Sequence, residues 1–466
     1  MKETSKQQSV LEKLFHLREN GTDVKTEVIA GLTTFMTMAY ILAVNPSILK
    51  EAGMDQGAVF TATALAALAA TLLMAVLSNY PFALAPGMGL NAYFAFTVVS
   101  GMGYSWQEAL AAVFIEGVIF LLLSLTNVRE AIFNSIPMSL KYAVSAGIGL
   151  FIAFIGLQNA KIVGADPSTL VSFFSFTGSI KEHTFSTAGI TVLLALLGTI
   201  LMAVLLVRKV KGGILWGILG TWAAGMVCQA AGLYRPNPET GFYSLFPDFS
   251  GGIGVPGMGA TFMQMDFSRV LSLDFAVIVF AFLFVDIFDT LGGLMGIGAQ
   301  ADMLDEEGRL PRIKGALISD ALGTSIGAVF GTSTTTTYAE SATGIAEGGR
   351  TGLTSVVVAV LFGLSLFLSP VFLAIPSFAT APALIAVGFI MVTSIAKIPF
   401  KDYSESIPAF VCVMAMPFFY SISEGISLGI IFYVLVNVLS GKRKEKKISL
   451  LMYILAAIFV LKYILI

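Results

Sequence analysis

The chain has 466 residues, of which 56% are apolar and only 12% charged, and its mean hydropathy is +0.86. A soluble domain carries about 25% charged residues and must face water, so this composition excludes a soluble globular fold and makes the bilayer the solvent. The formal net charge is −2 and no basic face is present, which excludes nucleic acid as a partner.

Cys228 and Cys412 sit inside apolar runs without CxxC spacing, and read as buried apolar residues rather than disulfide, redox or metal groups. His16 and His183 fall outside the apolar runs, so no metal cage, histidine relay or cofactor is expected within the membrane. The first 25 or so residues are charged and lack the apolar core of a cleaved signal peptide, so the first apolar run is expected to direct insertion.

A spanning helix needs about 20 apolar residues. In chain order the runs predict spans at 27–49, 57–78, 107–126, 139–157, 187–207 and 212–232. The second half predicts 271–296, 311–330, 351–370, 379–396, 404–420 and 424–440. Segments 83–99 and 331–347 are apolar but begin with Gly-, Pro- or Thr-rich interruptions. With both included, the chain reads as an all-α polytopic membrane protein of 14 transmembrane elements, seven in each half. Residues 1–26 form an N-terminal segment, 233–270 a long loop, and 441–466 a basic linker with a terminal apolar helix. That last run, Ile448 to Ile466, lies outside the seven-plus-seven plan and either lies along the membrane face or crosses again.

Basic residues test the layout, because cytoplasmic loops retain Lys and Arg. With the N-terminus in the cytoplasm, the inner side collects Arg129, Lys141, Arg208, Lys209, Lys211, Arg309, Arg312, Lys314, Arg350, Lys397, Lys401 and the KRKEKK run at 442–447. The two long outer loops hold only Lys161, Lys181, Arg235 and Arg269. This predicts a multi-pass protein of the inner (plasma) membrane. An odd number of crossings per half inverts the second half relative to the first, so the halves are expected to be inverted repeats. The interrupted stretches APGMGLN (85–91) and GTSTTTTYAE (331–340) each belong to the third element of a half, and VKGGILWGILG (210–220) matches ISEGISLGIIF (422–432) at the seventh. Paired interruptions in corresponding positions mark a transporter's midplane site.

Unwound backbone in the bilayer must find partners in protein or in a water-filled cavity. Leu84–Gly89 and Gly331–Thr337 are therefore expected to pair with each other as short extended segments, each leading into a half-helix. Threonine hydroxyls would cap the second half-helix, starting near Tyr338. Two half-helix N-termini then face one central site and offer N–H groups to polar acceptors.

Five acids fall well inside the spans: Glu116, Asp286, Asp289, Asp320 and Glu340, with no Lys or Arg comparably deep. Acids at such depth are costly and usually functional. Desolvation disfavours a carboxylate's charged form, so such a group can take a proton on one side and release it on the other. Asp286 and Asp289, three apart, share one side of a helix. Glu340 heads the second half-helix, and Asn91 occupies the matching place in the first. A carboxylate accepts two parallel hydrogen bonds, the pair that guanine offers at N1–H and N2–H₂, while Asn91 both donates and accepts. Phe94, Phe96, Phe282, Phe284 and Tyr338 are candidates for a stacking wall. Glu116 and Asp320 also have a simpler reading, as protonated groups that hold helices together.

Four stretches resemble a known family: GLTTFMTMAYILAVNP (31–46), APGMGLNAYF (85–94), FVDIFDTLG (284–292) and GTSTTTTYAESATGI (331–345) are similar to the AzgA-like purine permeases, nucleobase–cation symporters with the uracil-permease fold. The resemblance covers nearly the whole chain. It implies a core domain from elements 1–4 and 8–11 (27–126 and 271–370) and a gate domain from elements 5–7 and 12–14 (139–232 and 379–440). It implies adenine, guanine or hypoxanthine as substrate, proton symport (with Na⁺ as the other coupling ion to test), and a homodimer through the gates. By motif position it assigns Asn91, Asp286 and Glu340 to the substrate, Asp289 as a second functional acid and Asp320 as a supporting one; Tyr338 and Phe284 join the substrate side from the stacking wall, and Glu340 joins Asp289 and Asp320 in coupling. Where relatives often place a Val among the threonines before Tyr338, this chain has four Thr in a row.

Three rivals remain. An anion carrier of the same fold would use the half-helix N-termini, but acids at the site repel anions. A membrane enzyme would need a nucleophile–base pair or metal cage that the His and Cys positions do not offer. A channel would lack saturable, uncoupler-sensitive uptake.

Overall fold

The computed structural model describes residues 10–126, 136–237, 241–249, 254–300, 310–442 and 448–465, with positions 303, 305, 445 and 446. Arg129, Arg309 and three residues of the basic run (443, 444 and 447) lie outside the described residues. In chain order the helices are α1 (Val10–Phe15), α2 (Val24–Met38), α3 (Ile41–Glu51), α4 (Gln56–Ser78), α5 (Met88–Ala92), α6 (Trp106–Leu125), α7 (Met138–Asn159), α8 (Phe176–Lys181), α9 (Ile190–Val207) and α10 (Gly213–Ala230). They continue with α11 (Leu273–Gln300), α12 (Ile313–Phe330), α13 (Ser341–Ala346), α14 (Gly352–Ser365), α15 (Ser369–Leu373), α16 (Ser377–Val392), α17 (Tyr403–Phe418), α18 (Ile422–Leu439) and α19 (Leu450–Leu465). Among the described residues, 10 helical stretches are long and apolar enough to cross a membrane. The fold is that of an all-α polytopic membrane protein.

Helices begin where the sequence supplies acceptors for their free N–H groups. Asp23 caps α2, Asp55 caps α4 and Asp402 caps α17, each with its own side chain, and Ser105 and Glu108 form a reciprocal capping box at α6. The first span is not continuous. It breaks at Ala39–Tyr40, between α2 and α3, and Tyr40 is thereby turned toward the centre of the molecule.

The interrupted segments pair. While β2 (Val163–Asp166) and β3 (Leu170–Phe173) form a separate hairpin, β1 (Leu84–Pro86) and β4 (Thr335–Thr337) run antiparallel, with Leu84 opposite Thr337, Ala85 opposite Thr336 and Pro86 opposite Thr335. The ladder continues at both ends, through Gly87 N–H to Thr334 O at 2.9 Å and Tyr338 N–H to Ala83 O at 2.9 Å. Backbone that neither helix satisfies is thus satisfied across the two halves, as the bilayer requires. Gly87 allows the strands this close: a Cβ there would sit 2.6 Å from Thr336 Cγ2. Each strand leads into a half-helix. The first, α5, runs on as a π-helical stretch, Tyr93–Gly101; the second, α13, begins at Ser341. This start lies later than the sequence suggested, and α13 has no side-chain cap. The threonine hydroxyls are instead drawn sideways to the acids of neighbouring helices.

Packing divides the helices into two groups. In one, α4 lies against α12 and α14, α6 against α12, and α2 against α14; in the other, α7 packs on α16 and α17, α17 on α18, and α9 on α10 and α16. At one membrane face, Thr22 bonds Gly348 O, Asn79 bonds Phe15 O and Gly352 N–H, and Lys211 pairs with Glu347. The N-terminal segment therefore shares a face with Lys211, Arg312 (whose N–H meets Tyr80 Oη) and Arg350. Lys161 and Arg269 lie at the other face, over Phe242 and Tyr104.

Glu27, at the start of α2, is fully buried and acts as a remote cap for α14. Its carboxylate accepts from Arg350 N–H at 2.9 Å, Thr354 N–H at 3.0 Å and Thr354 Oγ1 at 2.6 Å. Orphaning buried donors costs about 1–3 kcal/mol each. Glu27→Ala is expected to lower the thermal unfolding midpoint in detergent by far more than Glu27→Gln, which keeps one acceptor. An unchanged midpoint would show that the cap contributes nothing.

Candidate substrate site

The strand β4 and Thr334 just before it organise the buried acids by sending hydroxyls to three neighbouring helices. Thr334 Oγ1 reaches Glu116 Oε2 on α6 at 3.4 Å. Thr336 Oγ1 meets Thr290 Oγ1 on α11 at 3.1 Å, and Thr337 Oγ1 reaches Asp320 Oδ1 on α12 at 3.4 Å. Thr290 lies between two acids, 3.2 Å from Asp286 Oδ1 and 2.9 Å from Asp320 Oδ2. All these residues are buried, so this cluster lies inside the first helical group.

Glu340 and Asp289 behave differently. Glu340 is only partly buried and accepts from Tyr40 Oη at 2.9 Å, while Asp289 is exposed. Asp289, Glu340, Tyr338 and Tyr40 lie within electrostatic range of one another. Tyr338 is fixed by donating its hydroxyl to Pro86 O at 2.6 Å. Two carboxyl groups and two phenols from α11, the β4–α13 junction and the α2–α3 break thus form one polar constellation.

A cavity of about 260 Å³ runs beside it between the two helical groups. Gly89, Val285, Asp289 and Gly293 line one wall, and Lys141, Ser145, Met391 and Lys397 are among the residues of the other. At the far side Tyr420 makes edge-to-face contacts with Phe96 at 6.1 Å, Phe151 at 5.2 Å and Phe154 at 6.3 Å, joining the two groups with an aromatic cluster. Asn91, on α5, is buried; its Oδ1 accepts from Ser333 Oγ, and its Nδ2 has no hydrogen-bond partner among the described residues.

The expected site residues therefore fall into different places. Asp289, Glu340 and Tyr338 come together, and Asn91 lies on the half-helix that also presents Gly89 to the cavity. Asp286 turns into the buried cluster with Asp320: three residues along a helix is about 300°, and that offset places Asp286 inside and Asp289 at the cavity. Phe284 packs on Phe280 with ring centroids 5.7 Å apart, Phe282 on Tyr93 at 4.7 Å, and Phe94 is fully buried. Lys141 is buried in the first turn of α7 and lines the cavity with Asp289. Sequence reasoning missed Tyr40, Thr290 and the clamp from Asn45 Nδ2 to Thr63 Oγ1 (2.7 Å) and Thr332 Oγ1 (2.9 Å). The available signal was a polar residue interrupting an apolar span, in AYILAVNP and FDTL.

Comparison with known proteins gives these positions a context. A family model described as a permease family, Xan_ur_permease, matches residues 25–428. Adenine permease AdeQ of Escherichia coli is 41% identical over 462 residues, covering 99% of this chain and 98% of the relative. Guanine/hypoxanthine permease PbuG of Bacillus subtilis is 44% identical over 462 residues, covering 97% and 98%. A putative permease of Methanocaldococcus jannaschii is 49% identical over 454 residues, covering 97% and 98%. Among solved structures, the transmembrane domain of the cyanobacterial bicarbonate transporter BicA superposes with a TM-score of 0.59 at 14% identity, over 87% of this chain and 97% of that one. Murine Solute Carrier 26 family member A9, an anion transporter in the inward-facing state, superposes at 0.62 with 12% identity, over 94% and 73%. The last two show a shared fold alone. Family membership rests on the sequence: the chain is a membrane transporter of the xanthine/uracil-type permease family, and not an enzyme.

Proposed function

We propose that this protein carries purine nucleobases across the inner membrane in symport with a proton. The observation that carries this reading is the constellation of Glu340, Asp289, Tyr338 and Tyr40 beside a cavity between two helical groups. A carboxylate there accepts from the N–H edge of an uncharged heterocycle, and the phenols fix the geometry of the acceptor. The unpartnered Nδ2 of Asn91 supports a second polar contact, since a buried donor is rarely left unused. Adenine, guanine and hypoxanthine transport by relatives agrees with this chemistry.

The group containing α2–α6 and α11–α14 then acts as the core, and that containing α7, α9, α10 and α16–α18 as the gate, the halves being inverted repeats. Because Lys141 and Lys397 line the cavity, we take its mouth as cytoplasmic, with Tyr420 and its aromatic neighbours closing the outer side. Asp289, Asp320 and Glu340 serve coupling. A homodimer through the gates fits the same plan. One feature favours the anion reading, since Lys141 and Lys397 line the cavity. Asp289 lines the same cavity, with Glu340 in electrostatic range of it, and the two carboxyl groups oppose that reading.

The test is competition of labelled hypoxanthine uptake by unlabelled adenine, guanine, xanthine and uracil, at two external pH values and with Na⁺ replaced. Purine-selective competition, faster uptake at lower external pH and no Na⁺ requirement are expected. Uptake of labelled sulfate with none of hypoxanthine would reverse the assignment. Tyr40→Phe removes one hydrogen bond to a charged acceptor, worth about 1.5–3 kcal/mol, and is expected to weaken hypoxanthine uptake roughly tenfold or more at low substrate. Unchanged uptake would remove Tyr40 from the site.

A further inference from the structure

We infer that α19 (Leu450–Leu465) crosses the membrane as an additional helix and lies across the seam between the two helical groups. Its two ends are anchored at opposite faces. Ahead of it, Lys446 Nζ meets Asp402 Oδ2 at 2.5 Å and Glu405 Oε1 at 3.1 Å, at the start of α17. The ammonium, with Ser404, holds the Asp402 carboxyl well below the usual carboxylate range. At the far end, Tyr463 Oη donates to Glu424 Oε2 in the first turn of α18. The chain turns between α17 and α18, so the start of α18 is at the face opposite the start of α17. At 1.5 Å per residue, the 18 residues of α18 span about 27 Å and the 16 of α19 about 24 Å. A helix that touches both faces and nearly matches its neighbour in length runs antiparallel to it.

The faces of α19 agree. Met452, Leu455, Ala456 and Phe459 are buried, while the outward positions Leu450, Ile454, Ile458 and Leu461 are exposed and wholly apolar. A helix lying along the membrane surface needs a polar face; apart from Lys462 in its last turn, α19 is built of apolar and tyrosine residues, the composition of a helix inside the bilayer. Its inner face grips both groups: it packs along α18, and the Phe459 ring meets Phe280 of α11 edge-on at 5.8 Å. With Lys446 and Tyr463 held by α17 and α18, α19 travels with the second group, and Phe280–Phe459 is its contact with the first.

Two readouts test this in the full-length chain. An epitope tag inserted beside Gly441, where the backbone has positive φ and open surroundings, and the same tag placed after Ile466 are probed in intact and permeabilised cells. Accessibility from opposite sides is expected; both tags on one side would overturn the crossing. Phe280→Cys combined with Phe459→Cys is expected to join through a short bis-methanethiosulfonate reagent, with either single variant as control. No joining would overturn the seam placement. Joining is further expected to cut hypoxanthine uptake at least tenfold, reversibly with reductant; undiminished uptake would overturn the bridging role. This last arm rests on the transport reading, and the single variants separate the two: absence of uptake in them as well as in the parent protein counts against transport, not against α19.

Discussion

Glu340→Gln is expected to abolish purine uptake while leaving the protein folded and in the membrane. The carboxylate presents two equivalent acceptor oxygens, and a heterocycle with adjacent N–H donors uses both. Glutamine keeps the shape, but it replaces one acceptor by an NH₂ group that meets the substrate's own donor head-on. Hydrogen bonds to a charged group contribute about 1.5–3 kcal/mol each, so losing one and opposing the other removes on the order of 3–6 kcal/mol. At 1.4 kcal/mol per factor of ten, uptake at low substrate falls by about a hundredfold or more. The fold is expected to survive, because Glu340 heads a short half-helix without capping it, and its protein partner Tyr40 can still donate to the amide oxygen. The measurement is initial-rate uptake of labelled guanine, whose N1–H and N2–H₂ are the adjacent donors, normalised to protein in the membrane. Near-normal uptake would exclude Glu340 from the substrate, and with it the constellation on which the transport reading rests.

Long-range architecture was readable because bilayer physics leaves few solutions. Apolar runs fix the spans, and the observed helices start and stop within a few residues of them: Gln56–Ser78 against 57–78, Met138–Asn159 against 139–157. The pairing of Leu84–Pro86 with Thr335–Thr337 follows from the same logic, since two interrupted segments have only each other to satisfy their backbone. What the sequence does not reveal is the direction in which a side chain leaves a helix near a junction. Asp286 and Asp289 looked alike by spacing, yet one is enclosed with Asp320 and the other is exposed beside Glu340. That difference depends on where β4 crosses α11, a tertiary fact with no local signature. Tyr40 was hidden for the same reason: nothing in the run around it announces that the helix breaks there and delivers a phenol to Glu340, 300 residues later. The threonine run was read as a cap, but a strand throws its side chains to both sides and reaches the acids flanking it.

The buried pair Asp286 and Asp320 leads to the second large effect. Thr290 Oγ1 lies within hydrogen-bond distance of both carboxyl groups and of Thr336 Oγ1. A hydroxyl has one hydrogen, so it cannot donate to two carboxylates at once. The arrangement closes when a second hydrogen is held by one of the acids and donated to Thr290, whose own hydrogen goes to the other. On the proposed symport reading, the coupled proton is held at this junction, next to β4, which leads directly to Tyr338 and Glu340. Asp320→Asn keeps a donor and an acceptor in place but cannot release a proton. The expected result is loss of concentrative uptake, by about an order of magnitude or more, with exchange of labelled for unlabelled hypoxanthine preserved. Thr290→Val, similar in shape but without the hydroxyl, takes a partner from both acids, at about 1–3 kcal/mol for each. It is expected to lower the unfolding midpoint and uptake together, with Thr290→Ser restoring both. Exchange and accumulation measured side by side in membrane vesicles decide the matter: if Asp320→Asn still accumulates hypoxanthine against its gradient, the coupled proton is not held between these two acids.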